Sequence, residues 1–263
     1  MTIVDAHAHI FPSKIAEKAT KGIGSFYDVD MRYIGSPEHL LESGRAIGVS
    51  KYFVHSVATT PAQVRSINSF IAEQCTQHPE FIGFGTLHPG VEDVQAEVDN
   101  IIALGLHGVK LHPDFQLFNI DDHSAMSIYE CIAGKLPLLI HMGDYRYEYS
   151  HPRRLAKVLD SFPELDCIAA HFGGYTVWDE ALDYLLPRRC WADTSSTLGM
   201  VEDIGYVREL VKKWGTERLL FGSDFPMWDH VEELERFNKL GITGDALDAV
   251  MGGNALALLA RYE

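Results

Sequence analysis

The segment Ile3-Val4-Asp5-Ala6-His7-Ala8-His9-Ile10-Phe11 is an apolar, strand-like run carrying two histidines two positions apart. Residues i and i+2 of a strand point to one face, so both imidazoles can reach a common point. Two histidines buried side by side are costly without a shared partner. A divalent metal ion is the commonest such partner, although a lone His-x-His also suits a solvated or hydrogen-bonded pair. The rest of the chain repeats one pattern, an apolar run ending in a polar residue able to do chemistry. His55 and His88 end two such runs. Then come Val109-Lys110-Leu111-His112, Leu139-Ile140-His141-Met142-Gly143, Ala169-Ala170-His171-Phe172-Gly173-Gly174, Asp193-Thr194-Ser195-Ser196 and Phe221-Gly222-Ser223-Asp224-Phe225-Pro226. Seven of the 13 histidines fall at these places, which core packing alone does not require. His7, His9, His141 and Asp224 make a plausible metal set. Three neutral imidazoles and one carboxylate suit Zn²⁺, and also Mn²⁺, Fe²⁺ or Co²⁺, with water in an open position.

The elements that must position these residues alternate. Strands are expected near Thr2–Phe11, Lys51–Ala58, Phe81–Pro89, Gly108–His112, Pro137–Gly143, Asp166–Gly174, Cys190–Ser196 and Arg218–Pro226. Amphipathic helices are expected at Pro37–Ile47, Ala62–His78, Val94–Leu104, Asp122–Ala133, Pro152–Phe162, Val177–Leu185, Glu202–Trp214 and Val231–Leu240. Ser36 is an expected N-cap with Pro37 at the first helical position. Two short helices near Gly244–Met251 and Asn254–Arg261, the second capped by Asn254, would close one end. Eight strands alternating with eight helices predict parallel pairing and a (β/α)8 barrel, a TIM barrel of the α/β class. A doubly wound open sheet fits less well, because no Gly-rich phosphate loop follows the first strand. In a barrel the chemistry-bearing residues gather at the C-terminal ends of the strands. Pro12–Gly35 reads as an unusually long connection, of the kind that covers substrate.

Composition narrows the field. The 263 residues suit one domain spanning 1–263. The chain is 46% hydrophobic and 22% charged, an ordinary globular mix. No apolar run is long enough to cross a membrane, and neither a basic n-region nor an h-region precedes the first strand. A cytoplasmic protein with no membrane partner is expected. The net charge of −15 argues against nucleic acid and anionic membranes, which need basic patches. Cys75, Cys131, Cys167 and Cys190 are scattered, as in a protein with reduced thiols. A homodimer is expected only on general frequency.

The quoted motifs resemble those of the amidohydrolase superfamily, specifically the amidohydrolase-related branch that includes aminocarboxymuconate-semialdehyde decarboxylase. The resemblance rests on Asp5-Ala6-His7-Ala8-His9, Leu139-Ile140-His141, Ala170-His171-Phe172-Gly173-Gly174 and Gly222-Ser223-Asp224-Phe225-Pro226, and covers essentially the whole chain. It implies that His7, His9 and His141 are metal ligands. Asp224 would be a ligand, or lie beside the metal, and shuttle a proton. His171 would orient or activate metal-bound water, or hold a second metal. Lys110 is the departure that matters. Binuclear members carry a carboxylated lysine on the fourth strand, while several decarboxylases of this branch lack one. Lys110 is therefore a carboxylated bridge, a free ammonium gripping a substrate carboxylate, or a structural ion-pair partner.

Other residues are weighed individually. His55 and His88 either fix a ligand's orientation, contact substrate or are satisfied barrel histidines; His112 shares a face with Lys110 and leans toward substrate. Tyr145 and Arg146, in a tyrosine-rich loop, are candidate substrate contacts for an aromatic or carboxylate group, and Trp178 and Trp228 could wall the same pocket. Arg153 and Arg154 begin a helix as solvated charges. The role of Asp193 stays open. Three functions follow. The first is a metal-dependent hydrolase of a small ester, lactone or amide, anionic ones included, in which Asp224 takes a proton and His171 steadies the hydroxide or oxyanion. The second is a decarboxylase of a small unsaturated or aromatic acid, and the third a non-catalytic metal-binding barrel.

Overall fold

The computed structural model describes residues 2–262. Eight parallel strands follow one another in chain order: β1 Ile3–His9, β2 Val49–His55, β3 Phe81–Thr86, β4 Gly108–Leu111, β5 Leu138–Ile140, β6 Cys167–Ala169, β7 Trp191–Asp193 and β8 Leu219–Leu220. Backbone bonds join the ends of the sheet. The Ala6 N–H donates to Phe221 O (2.8 Å), Asp224 N–H to His7 O (2.9 Å) and His9 N–H to Phe225 O (2.7 Å). The molecule is the expected (β/α)8 barrel.

Helices lie between the strands and after the last of them: α1 Ser13–Tyr27, α2 Pro37–Arg45, α3 Val64–Gln77, α4 Val94–Ala103, α5 Pro113–Gln116, α6 His123–Ile132, α7 Pro152–Ser161, α8 Trp178–Leu185, α9 Thr197–Met200, α10 Ile204–Trp214, and, past β8, α11 His230–Asn238, α12 Asp245–Asp248 and α13 Asn254–Leu259. Ser36 caps α2 as expected, accepting from the His39 N–H at 3.4 Å. The larger core fills the layer between strands and helices, with Val54, Leu111 and Ile140 facing the helices. A second core lies inside the barrel, where Val4, Ala6, Phe53, Phe84 and Leu139 meet Ala255 and Leu258 of α13. The C-terminal helix thus plugs the floor of the barrel, opposite the strand ends that carry the histidines.

Strict alternation along β1 would turn Ala6 and His7 to opposite faces. The register slips between Asp5 and Ala8: Asp5 pairs with Tyr52 and Ala8 with Val54. One extra residue in β1 switches its facing there, as a β-bulge does. Val4 and Ala6 fill the barrel floor, Ala8 packs in the outer layer, and His9 aligns with His55 of β2. The bulge lets one strand give both an apolar floor and a pair of inward histidines.

Three expectations are corrected. Pro12–Gly35 is not an open connection: its first part is the 15-residue α1. Ala16, Thr20 and Gly24 form its buried stripe, and these small, weakly apolar residues hide the helical periodicity. Several strands are also shorter than expected. His141, His171 and Asp224 lie just past the ends of β5, β6 and β8, because the chain turns there. His171 and Asp224 have φ of 61° and 60°, a left-handed conformation that ends strand pairing. Finally, Asn254 does not cap its helix. Its Nδ2 donates to Thr216 O (2.7 Å) and Leu219 O (2.8 Å), tying α13 to β8.

Candidate metal and active site

His7 is the centre of the cluster. Its Nδ1 lies 2.8 Å from Asp193 Oδ2. A carboxylate accepts, so His7 carries its proton on Nδ1 and presents a bare Nε2 lone pair to the barrel mouth. That lone pair receives the Lys110 ammonium at 3.0 Å and lies 3.4 Å from Asp224 Oδ1. His9 Nε2 lies 3.4 Å from the same carboxylate oxygen. Asp224 Oδ2 accepts from Ser196 Oγ at 2.5 Å. Gly222 makes the approach possible: a Cβ there would sit 3.1 Å from His7 Cβ.

Across the mouth, His171 Nδ1 lies 3.1 Å from Ser195 O. A carbonyl only accepts, so His171 Nε2 is the unprotonated nitrogen. It lies 3.0 Å from His141 Nδ1, which supplies the intervening proton. His141 Nε2 is then a buried lone pair with no hydrogen-bond partner among the described residues, 3.4 Å from Asp114 Oδ2. Gly143 brings these two loops together; it has φ 76°, and a Cβ there would lie 2.5 Å from Gly174 backbone.

Of the four residues expected from sequence, His7, His9 and Asp224 converge, and His141 lines the same small void as His9 and Asp224 with its Nε2 free, its ring stacked on His112 with centroids 3.9 Å apart. Lys110 lies inside the first group and is fully buried. Asp193, whose role was open, holds both halves: it accepts from His7 Nδ1, from the His171 N–H (2.9 Å) and from the Ser195 hydroxyl. His88 stands outside, accepting from the Gly90 N–H at 3.0 Å.

Burial sets the charge states. It lowers the pKa of His7, His9, His55, His112 and His141, so all five are neutral near pH 7. Burial also lowers Lys110 to about 8 and raises Asp114 to about 7. It opposes charge on Asp224 as well, but the charge that His7 and His171 carry when protonated and a hydrogen bond from His9 hold that carboxyl well below the usual carboxylate range.

Several working residues escaped the sequence reading. Tyr27, the last residue of α1, is partly buried against His141 and Tyr175 (ring centroids 6.2 and 5.3 Å). Asp114 opens α5, and Ser195 bonds both His7 and His171. Nothing in the local sequence marks Tyr27 or Asp114, because only the closed barrel brings α1 and α5 over the histidines. Arg146 is clamped by Asp144 (Nη2–Oδ2 2.6 Å) and donates to Phe26 O (2.7 Å). Tyr145 is exposed, and both residues line an outer cavity of about 500 Å³ bounded inward by Tyr27 and shared with Trp228. Trp178 Nε1 donates to His171 O at 3.1 Å, beneath the site. A void of only about 20 Å³ lies directly over His9, His141, His171 and Asp224. Beside it, a largely apolar cavity of about 410 Å³ runs between Phe11, Ile23, Phe26 and Phe115, and touches His9 and Asp114.

The residues fit a divalent ion. His7 Nε2 and His9 Nε2 each face Asp224 Oδ1 at 3.4 Å, and a cation, the Lys110 ammonium, already meets His7 Nε2 at 3.0 Å. A carboxylate behind a ligating imidazole, as Asp193 stands behind His7, is the usual support of a metal-bound histidine.

A sequence profile described as amidohydrolase matches residues 4–261. The chain belongs to the amidohydrolase family. Solved structures share the fold of this amidohydrolase at low identity. An uncharacterized TIM-barrel protein from Bordetella bronchiseptica superposes with a TM-score of 0.81 at 19% identity, covering 100% of this chain and 99% of the other. A dihydroxybenzoic acid decarboxylase from a Polaromonas species, with bound manganese and an inhibitor, gives 0.72 at 15% identity, covering 100% and 98%. A protein assigned as a 2-pyrone-4,6-dicarboxylic acid hydrolase from Pseudomonas putida gives 0.69 at 22% identity, covering 100% and 98%. No curated protein matches the sequence. Among the described residues of this amidohydrolase, no helix is long and apolar enough to cross a membrane.

Proposed function

We propose that this amidohydrolase is a divalent-metal-dependent hydrolase of a small, flat ester, lactone or amide bearing an acidic group. The observation that carries the reading is the state of Asp224. It is ionised, faces His7 Nε2 and His9 Nε2 at 3.4 Å, and starts the reaction as a proton acceptor. Hydrolysis needs a base first, to take the proton of the attacking water.

His7, His9 and Asp224 would hold the ion, with Asp193 fixing the His7 ring. A divalent ion in such a set polarises a carbonyl and brings the pKa of water toward neutrality. Asp224 takes the water proton and returns it to the leaving group. His171, held through Nδ1 by the Ser195 carbonyl and hydroxyl, forms with His141 (3.0 Å) an imidazole pair at the mouth that would steady the nucleophile. The Tyr27 hydroxyl, kept protonated by burial, donates to the oxygen on which charge develops. The Lys110 ammonium attracts an anionic group, and the apolar cavity between Phe11 and Phe115 takes the body of the substrate.

Decarboxylation of a flat unsaturated acid is the second reading. It is favoured by the aromatic enclosure of the inner void, whose 20 Å³ has room for about one water. One experiment separates the two. Protein loaded with zinc or manganese is offered flat unsaturated lactones, esters and free acids, while proton release and carbon dioxide are followed in parallel. Acid release without carbon dioxide supports hydrolysis. Carbon dioxide release assigns the second reading, and inertness of the loaded protein toward every substrate refutes both.

A further inference from the structure

One stripe of α1, Ala16, Thr20 and Gly24, is buried. Ala19, Ile23 and Phe26, spaced i, i+4 and i+7, form a second apolar stripe that stays partly exposed. It faces the cavity of about 410 Å³, whose other walls include Phe11, Val57 and Phe115. An apolar cavity of about 150 Å³ accepts a benzene molecule, so this one has room for more than a single aromatic ring.

Gly22 keeps that space open. Glycine is a poor residue for a helix interior, and α1 has two near its end. Gly24 answers to close packing, since a Cβ there would lie 2.7 Å from Val29 O. Gly22 does not: a Cβ there would meet nothing within 4 Å, and the residue lines the cavity. At the rim, Leu117 holds a large apolar side chain 67% exposed with φ of 58°, a left-handed conformation unfavourable for leucine. Residues strained in this way cluster at ligand clamps and active sites.

The lining also states what the cavity takes. Among the described residues no lysine or arginine lines it, and its polar edge is Thr59, His9 and Asp114. An anionic group would find no cation there and would meet the Asp114 carboxyl. His9 and Asp114 join the cavity to the histidine cluster, with Asp114 Oδ2 3.4 Å from His141 Nε2. We infer that this cavity is the subsite for a neutral apolar arm of the substrate, at least as large as a phenyl ring, and that Gly22 sets the size it accepts. The inference deepens the hydrolytic reading above and rests on it; the acidic group of the substrate is left to Lys110.

The test begins with N-phenyl-1-naphthylamine, a neutral arene whose fluorescence rises in apolar surroundings. Gly22→Leu puts a branched side chain into the cavity on a better helix former. Lys21→Leu makes a similar change at the neighbouring position, which is exposed. Lys21→Leu is expected to bind the probe as wild type does, and Gly22→Leu at least about tenfold more weakly, both with native circular dichroism. Should Gly22→Leu lose its native spectrum, Ala19→Leu on the same face takes its place with the same expectation. No binding by wild type, or a smaller loss in the variant, overturns the inference. Zinc-loaded protein is then offered an unsaturated lactone with and without a phenyl substituent. A preference for the phenyl lactone that falls at least about tenfold in Gly22→Leu joins the subsite to the reaction. Turnover of both lactones that is indifferent to the variant overturns the inference and leaves the hydrolytic reading standing. Probe binding as expected, without turnover of either lactone, counts against the hydrolytic reading while the apolar subsite stands.

Discussion

The His112 imidazole meets the Tyr27 hydroxyl at 3.0 Å, joining the end of β4 to the last residue of α1. The Phe115 N–H donates to His112 Nδ1 at 3.3 Å, so the ring proton is on Nε2 and is given to the Tyr27 oxygen. The phenol proton is thereby left free to point at the inner void that Tyr27 lines. Tyr27→Phe is expected to lower kcat by about 10²-fold, the scale for losing one donor to a developing oxyanion, with KM little changed. It also orphans the His112 N–H, at a cost of about 1–3 kcal/mol in stability. Steady-state kinetics beside a melting curve decide the matter. A lowered Tm with unchanged kcat would make Tyr27 a latch on α1 and nothing more.

Asp193 accepts the His7 Nδ1 proton at 2.8 Å and is fully buried. Asp193→Asn keeps the shape but offers an amide that can turn its NH₂ toward His7 and reverse the ring's tautomer. Metal affinity is expected to fall by about 10–100-fold, read by chelator competition. An unchanged affinity would show that the His7 tautomer does not depend on this carboxylate.

Asp224→Asn removes the base while keeping the volume, and is expected to reduce turnover to background with the ion still bound through the histidines. His7→Ala is expected to lose both activity and metal, and elemental analysis of the purified variants checks both. His141→Ala separates two arrangements. Metal content retained with activity lost fits the observed contact with His171, whereas lost metal returns His141 to the ligand set expected from the motif.

The fold was legible because strand and helix periods alternate cleanly, and because histidine recurs where apolar runs end. Both signals are local. His7 and His9 share a face as their spacing implies, but Asp5 does not follow them. The bulge turns it outward to Ser223 Oγ (2.6 Å) and His230 Nε2 (2.9 Å). No local pattern announces a bulge, since it depends on how β1 meets β2. The four-residue metal set was read from order along the chain, which says nothing of which nitrogen a ring presents. Tyr27 and Asp114 were missed for the same reason: their importance is created by α1 and α5 folding over strands distant in sequence.

Lys110 Nζ donates to His7 Nε2, the lone pair a metal ion needs. Its pKa of about 8 makes it a cation at neutral pH that competes with the ion for that nitrogen. Lys110→Met is expected to bind zinc or manganese at least as tightly as wild type, and to raise KM for an anionic substrate. Metal content halved in the variant would mean instead that Lys110 bridges two ions as a carbamate.

Five buried neutral histidines set the acid stability of the metal-free protein. The folded pKa values of His7, His9, His55, His112 and His141 lie below the ordinary 6.5, so below that pH the unfolded chain binds protons that the folded chain refuses. Stability from these groups is complete above pH 6.5 and is lost as pH falls through it. Asp114 and Glu233 act with the opposite sign: burial raises them to about 7 and about 8, so each keeps a proton when folded that the unfolded chain has released, and their contribution falls as pH rises. Urea melts of chelator-treated protein between pH ~5 and ~7 are expected to show stability rising steeply with pH. Divalent ions bind only the unprotonated imidazoles, so adding zinc should move the acid limb to lower pH. A flat profile in metal-free protein would mean that the cluster is already hydrated and protonated at neutral pH, contrary to the enclosure that Tyr27 and Phe115 provide.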